Sequence, residues 1–198
     1  IVVGYPKKEG NSIYNCAGVL RNKSIVTEYK KQELPNYEVF DEKRYFQPGN
    51  SVGIFEVNGY RVALSVCEDI WHEKVINQAH ESKANLLLNI NASPFHLEKI
   101  NERKKLISSQ SSKYSLPIVY ANQVGGQDEL VFDGTSMVMD GDGKQVMQLA
   151  KFEVDKKVVS FVSKEDGNLK SEITEDIPED KELEEVYQAL VLGAKDYI

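Results

Sequence analysis

The stretch Val62-Ala63-Leu64-Ser65-Val66-Cys67-Glu68-Asp69-Ile70-Trp71 decides how this chain is read. A β-branched apolar run ends at a cysteine, two carboxylates and the only tryptophan follow, and a helical pattern runs from His72 to Lys83. This predicts a strand, a sharp turn and a helix. A cysteine at such a turn lies at the carboxyl end of a strand beside a helix amino terminus, where backbone N–H groups and the helix dipole favour thiolate. That geometry suits a nucleophile; the alternative is a buried structural cysteine.

Working outward, Val75, Ile76 and Ala79 fall on one helical face, and the apolar run Asn85–Asn91 predicts a buried parallel strand, so strand, helix and strand form a right-handed crossover. Upstream, Ser51–Glu56 and Tyr60–Val66 form a hairpin around Val57-Asn58-Gly59, and Ser12–Leu20 with Ser24–Lys31 form another. Between the hairpins, Gln32–Gly49 has two prolines and four aromatics but no period. It reads as a loop held by aromatic packing. Ile1-Val2-Val3-Gly4 reads as a strand already in progress, so the chain is expected to begin mid-domain.

Downstream, Ala92-Ser93-Pro94-Phe95-His96 is a loop, Leu97–Tyr114 a helix, Leu116–Asn122 a buried strand and Val124-Gly125-Gly126 a loop. Thr135–Met139 and Gln145–Leu149 form a hairpin closed by Asp140-Gly141-Asp142-Gly143, read as turn chemistry rather than a phosphate loop. This organisation predicts a main domain over 1–162, an acidic linker over 163–181 and a helix over 182–198. The helix carries an apolar stripe, Leu183, Val186, Tyr187, Leu190, Val191 and Ala194, which either docks back onto this domain or leads into another.

The 198 residues, 41% hydrophobic and 28% charged, suit a soluble globular chain with one sizeable core. A net charge of -7 and a pI near 5.1 argue against a nucleic-acid surface. No apolar run approaches a membrane span and none reads as a signal peptide. Cys16 and Cys67 make no disulfide framework, and three scattered histidines add no metal-ligand spacing. A reducing cytoplasm fits best.

A cysteine nucleophile needs a cation to stabilise thiolate and developing oxyanion, and a carboxylate to move protons. Lysine at the end of the first hairpin and glutamate in the following loop supply these types. A cysteine–histidine pair is the rival, but neither His72 nor His96 is singled out as a base.

Tyr29-Lys30-Lys31-Gln32-Glu33-Leu34 and Val66-Cys67-Glu68-Asp69 resemble the nitrilase, or carbon-nitrogen hydrolase, superfamily, whose triad is Glu, Lys and Cys. The longer set resembles the glutaminase domains of glutamine-dependent NAD synthetases. It comprises Leu34-Pro35-Asn36-Tyr37, Val39-Phe40-Asp41-Glu42, Arg44-Tyr45-Phe46, Cys67-Glu68-Asp69-Ile70-Trp71 and Asn91-Ala92-Ser93-Pro94-Phe95-His96. The resemblance implies an α/β fold, a four-layer α-β-β-α sandwich incomplete at the amino end. It also implies that Cys67 attacks the glutamine amide, giving a thioester and ammonia, and that Lys31, rather than Lys30, holds the oxyanion with the backbone N–H after Cys67. Tyr37, Glu42, Glu68, Trp71, Ser93 and Lys99 fall where the family binds substrate or supports the site. For Glu42 the alternative is a bridge to Arg44, and for Trp71 simple packing.

No metal or cofactor is implied in this domain; ATP and Mg, with deamido-NAD, are implied for a synthetase domain absent from the chain, as is a homo-oligomer. The family's general-base glutamate is expected upstream of Ile1, so the isolated chain is expected to be weakly active or inactive. Rival functions are a free-standing amidase acting on another small amide and a non-catalytic fragment.

Overall fold

The structure is a computed structural model that describes every residue from 1 to 198 except 166 and 180. The chain falls into two compact units, Ile1–Ile90 and Asn91–Ile198.

In the first unit, β1 (Val2–Glu9), β2 (Ser12–Arg21) and β3 (Ser24–Lys30) form an antiparallel meander. The strand-like start at Ile1 is thus the lead strand of a hairpin with β2, paired from Val2 opposite Val19 to Glu9 opposite Ser12. A register shift between Val19 and Leu20 leads into the Asn22-Lys23 turn, both residues at positive φ as a tight hairpin turn requires.

The second set of strands contains the decisive stretch. β4 (Gly53–Val57) and β5 (Tyr60–Val66) form the expected hairpin, its turn carried by Asn58 and Gly59 at positive φ. A 3-10 turn, Cys67–Trp71, separates β5 from α2 (Glu73–Glu81), and β6 (Leu86–Asn91) returns parallel to β5, with Val62 opposite Leu86. Val75, Ile76 and Ala79 are the buried residues of α2, the face expected from their spacing. Ala17, Val19, Tyr29, Leu64, Val66 and Val75 form one apolar cluster, with Leu88 and Ile90 against it. Each fully buried large side chain there stabilises the fold by about 1.5–3 kcal/mol.

The stretch from Gln32 to Gly49 is held in part by backbone hydrogen bonds. Glu42 N–H donates to Pro35 O, Gln47 N–H to Ile13 O and Gly49 N–H to Lys31 O, at 2.8–3.1 Å. A single helical turn, α1 (Glu42–Tyr45), interrupts it. Tyr37 and Phe40 meet edge-on at 5.9 Å, while Tyr45 is exposed under the Arg44 guanidinium.

In the second unit, α3 (Lys99–Tyr114) precedes β7 (Ile118–Asn122). The segment Val124-Gly125-Gly126, expected as a loop, is strand: β8 (Val124–Gln127) pairs with β9 (Leu130–Asp133). The hairpin β10 (Met137–Met139) and β11 (Gln145–Gln148) follows, with a register shift between Val138 and Met139. Buried Arg103 of α3 donates twice to Asp133 at 2.8 and 2.9 Å and also to the carbonyls of Ser93 and Pro94, fixing the loop after β6. Within the acidic stretch read as a linker, β12 (Phe161–Ser163) pairs with β13 (Leu169–Ser171), so part of it is sheet.

Helix α4 (Glu182–Tyr197) lies on β8 and β9 through a face other than its apolar stripe. Ala189 is buried and Gly126 N–H donates to Asp196 Oδ2 at 2.7 Å, whereas Leu183, Tyr187 and Leu190 are about two-thirds or more exposed. Close approach explains the choice: a Cβ at Gly126 would sit 3.1 Å from Gly193 Cα, so the glycines of β8 form a floor that only the small-residue face can reach. Among the described residues, no helix is long and apolar enough to cross a membrane.

Candidate active site

Strand alternation separates the two adjacent lysines. Tyr29 and Lys31 share the inward face, while Lys30 points the other way, to Glu9 at 2.5 Å and over the Tyr14 ring. Lys31 N–H still pairs with Asn15 O, so the alternation continues one residue past β3. Its side chain is fully buried, and Lys31 Nζ donates to Glu42 Oε1 at 2.6 Å. Glu42 therefore pairs with Lys31; Arg44 turns to Asp41 instead, at 3.6 Å on the surface. Glu42 Oε2 is buried without a hydrogen-bond partner.

Cys67 begins the 3-10 turn with φ +47°, in the left-handed region that a side chain rarely occupies. The strand's direction is thereby broken at one residue, and the half-buried thiol is presented at the turn. Burial pushes this thiol above its ordinary pKa. The Lys31 ammonium pulls it down, and the carboxylates of Glu42, Glu68 and Asp69 push it up. Lysine, glutamate and cysteine thus act on one another electrostatically although 36 positions separate Lys31 from Cys67 in the chain.

Glu68 accepts from Tyr37 OH at 2.9 Å and stands 3.4 Å from His72 Nε2. Tyr37, Glu68 and His72, with Gln32, Phe46 and Gln47, line an open cavity of about 530 Å³. His96 turns its ring toward the neighbouring Leu97 carbonyl. Trp71 is half-buried at the end of the turn. In the second unit, Ser93 is buried, with its N–H on Asn122 Oδ1 at 2.9 Å, and Lys99 opens α3, 3.2 Å from Glu102. Among the described residues no group of three or more His, Cys, Asp and Glu side chains is arranged to hold a metal ion.

The residue that the sequence reading missed is Asp69. It is fully buried, and its two oxygens accept from Gln32 N–H (3.1 Å), Glu33 N–H (2.9 Å), Val66 N–H (2.9 Å) and Tyr29 OH (2.8 Å). The signal was present in the chain: an aspartate three residues past Val66 is placed to reach back to the backbone at the start of the turn, as capping residues do.

A strand-end thiol in a strained turn, a buried lysine held by a glutamate and a parallel crossover are the features expected of a carbon-nitrogen hydrolase. The profile of the carbon-nitrogen hydrolase family matches residues 1–160, and the chain belongs to that family. It is 36% identical over 229 aligned positions to the glutamine-dependent NAD(+) synthetase of Aquifex aeolicus, covering all of this chain and 40% of that protein. The solved glutamine-dependent NAD+ synthetase of Acinetobacter baumannii superposes with a TM-score of 0.92 at 36% identity, covering 99% of this chain and 37% of that one. An amidase from a Nesterenkonia species shares the fold at a TM-score of 0.67 and 24% identity, over 75% of this chain and 56% of its own. The nitrilase-like fold expected from the sequence is the fold of these neighbours. The chain spans less than half the length of the synthetases it matches.

Proposed function

We propose that this chain is the glutaminase part of a glutamine-dependent NAD synthetase. The observation that carries the proposal is the Lys31–Glu42 pair acting on Cys67 at its strained turn, in a chain resembling such synthetases along its whole length. The Cys67 sulfur attacks the side-chain carboxamide carbon of glutamine, its proton passing to the family's general-base glutamate, a role to which no residue of this chain is assigned. Lys31 Nζ and the Glu68 backbone N–H hold the resulting oxyanion. Collapse breaks the C–N bond, a proton goes to the leaving nitrogen, and ammonia departs from a Cys67 thioester. Water then cleaves the thioester to glutamate and the free thiol.

Glu42 keeps the Lys31 side chain extended and oriented. Tyr37 and Glu68, in the adjoining cavity, offer a hydroxyl and a carboxylate to the amino-acid end of the substrate, and Trp71, Ser93 and Lys99 are assigned supporting roles. The ammonia amidates deamido-NAD in a synthetase half that uses ATP and Mg; no residue of this chain is assigned to those ligands. A cytoplasmic homo-oligomer completes the proposal.

Treatment with a diazo-ketone analogue of glutamine, followed by peptide mapping, tests it. A single adduct on Cys67, suppressed by excess glutamine and absent from Cys67→Ala, is expected. Labelling at Cys16, or an adduct that glutamine does not suppress, would overturn it.

A further inference from the structure

We infer that Asp69 is a positioning residue that sets the Lys31 segment against the Cys67 turn through one shared carboxylate. This rests on the glutaminase reading and deepens it. Oδ1 takes the N–H groups of Gln32 and Glu33, the two peptides that follow Lys31. Oδ2 takes the N–H of Val66, the residue before Cys67, and the hydroxyl of Tyr29, which lies two residues before Lys31 on the same inward side. The carboxylate is therefore bonded on both sides of the lysine and at the root of the nucleophile's turn.

A backbone tie to Lys31 from downstream, Gly49 N–H to Lys31 O, belongs to its own loop and does not reach the Cys67 turn. Tyr29 and Val66 share the apolar cluster beneath the site, so the brace is anchored in the core. Four donors on two oxygens match the acceptor capacity of a carboxylate: burial raises the Asp69 pKa, and the Glu33, Val66 and Gln32 N–H groups with the Tyr29 hydroxyl oppose that rise by bonding the charged form. Glutamate at this position would be one carbon too long for the turn, and asparagine would present an NH2 group to at least one N–H that cannot accept it.

The charge of Asp69 works against the thiol, since it is one of the carboxylates that push the Cys67 pKa up. Positioning and electrostatics therefore predict opposite outcomes for Asp69→Asn. Loss of the charge makes the thiol more acidic, so alkylation of Cys67 by iodoacetamide at pH 8 rises. Loss of the Val66 or of the Gln32–Glu33 bonds frees the two segments, so kcat for ammonia release from glutamine falls, by about 100-fold for a displacement near 1 Å. KM is expected to stay within about twofold, since the variant leaves the Tyr37–Glu68 cavity intact. Tyr29→Phe removes one donor without introducing a repelling group and is expected to lower kcat less, at unchanged alkylation.

The assay is run on the full-length protein. Wild-type turnover with kcat unchanged in Asp69→Asn overturns the positioning role, as does a parallel fall in kcat and alkylation in both variants, which would mean lost folded protein. Absence of wild-type glutamine turnover overturns the glutaminase reading and this assignment with it.

Discussion

Cys67 with its positive φ, a lysine with no exposed side-chain surface and a carboxylate with four donors all lie in the first unit. Each is locally unfavourable or demanding alone, and each is stabilised by the next. Glu42→Ala removes the ion-pair partner of Lys31 and leaves an ammonium buried. Breaking such a pair costs about 3–5 kcal/mol, which urea denaturation of the variant will measure. For the thiol, burial raises the pKa, so alkylation of Cys67 should keep rising with pH beyond the ordinary thiol range. Lys31→Met removes a group that lowers it, so the alkylation profile should move to still higher pH. A profile that reaches its plateau below pH 8 would contradict both statements.

At the scale of elements, the position of the lysine depends on how the long loop returns. Gly49 N–H bonds to Lys31 O, and a Cβ at Gly49 would lie 2.2 Å from the Lys30 carbonyl oxygen, a backbone atom that cannot turn aside. Gly49→Ala should therefore push the loop off the end of β3, destabilising the fold by about 1–3 kcal/mol and lowering glutamine turnover in the folded fraction. A crystal structure of the variant with the Lys31–Glu42 bond unchanged would exclude this. Hairpins, the crossover and the three longer helices α2, α3 and α4 were legible because turn residues and periodicity are local signals, whereas the short α1 was not: Asn58-Gly59 names its turn and Val75, Ile76, Ala79 their face. The strand β8 was not legible, since two glycines in a row read as a loop until a helix is packed on them. Nor was the docking face of α4, where the conspicuous apolar stripe is exposed and the small residues make the contact.

Across the whole molecule, response to acid tests the first sheet. Hydrogen bonding by Lys30, then by Lys7, holds the Glu9 carboxyl down at about 2. A carboxyl depressed on folding contributes stability above its unfolded pKa, and that contribution disappears as pH falls from the usual glutamate range, about 4.3, toward 2. Glu9 is exposed, so the effect is small and screened by salt. The difference in urea midpoint between the natural protein and Glu9→Gln should favour the natural protein at pH 7, shrink in 1 M salt and vanish near pH 2. The sequence by itself determined the order of the early elements, the strand-to-helix turn at Cys67 and the residue types that a cysteine hydrolase needs, because those are properties of neighbours in the chain. Only the tertiary structure decided that Glu42 faces Lys31 rather than Arg44, and that Asp69 bonds to Tyr29 forty residues away. Such pairings arise when separate strands are brought together, and no local pattern encodes which buried donor will meet which acceptor.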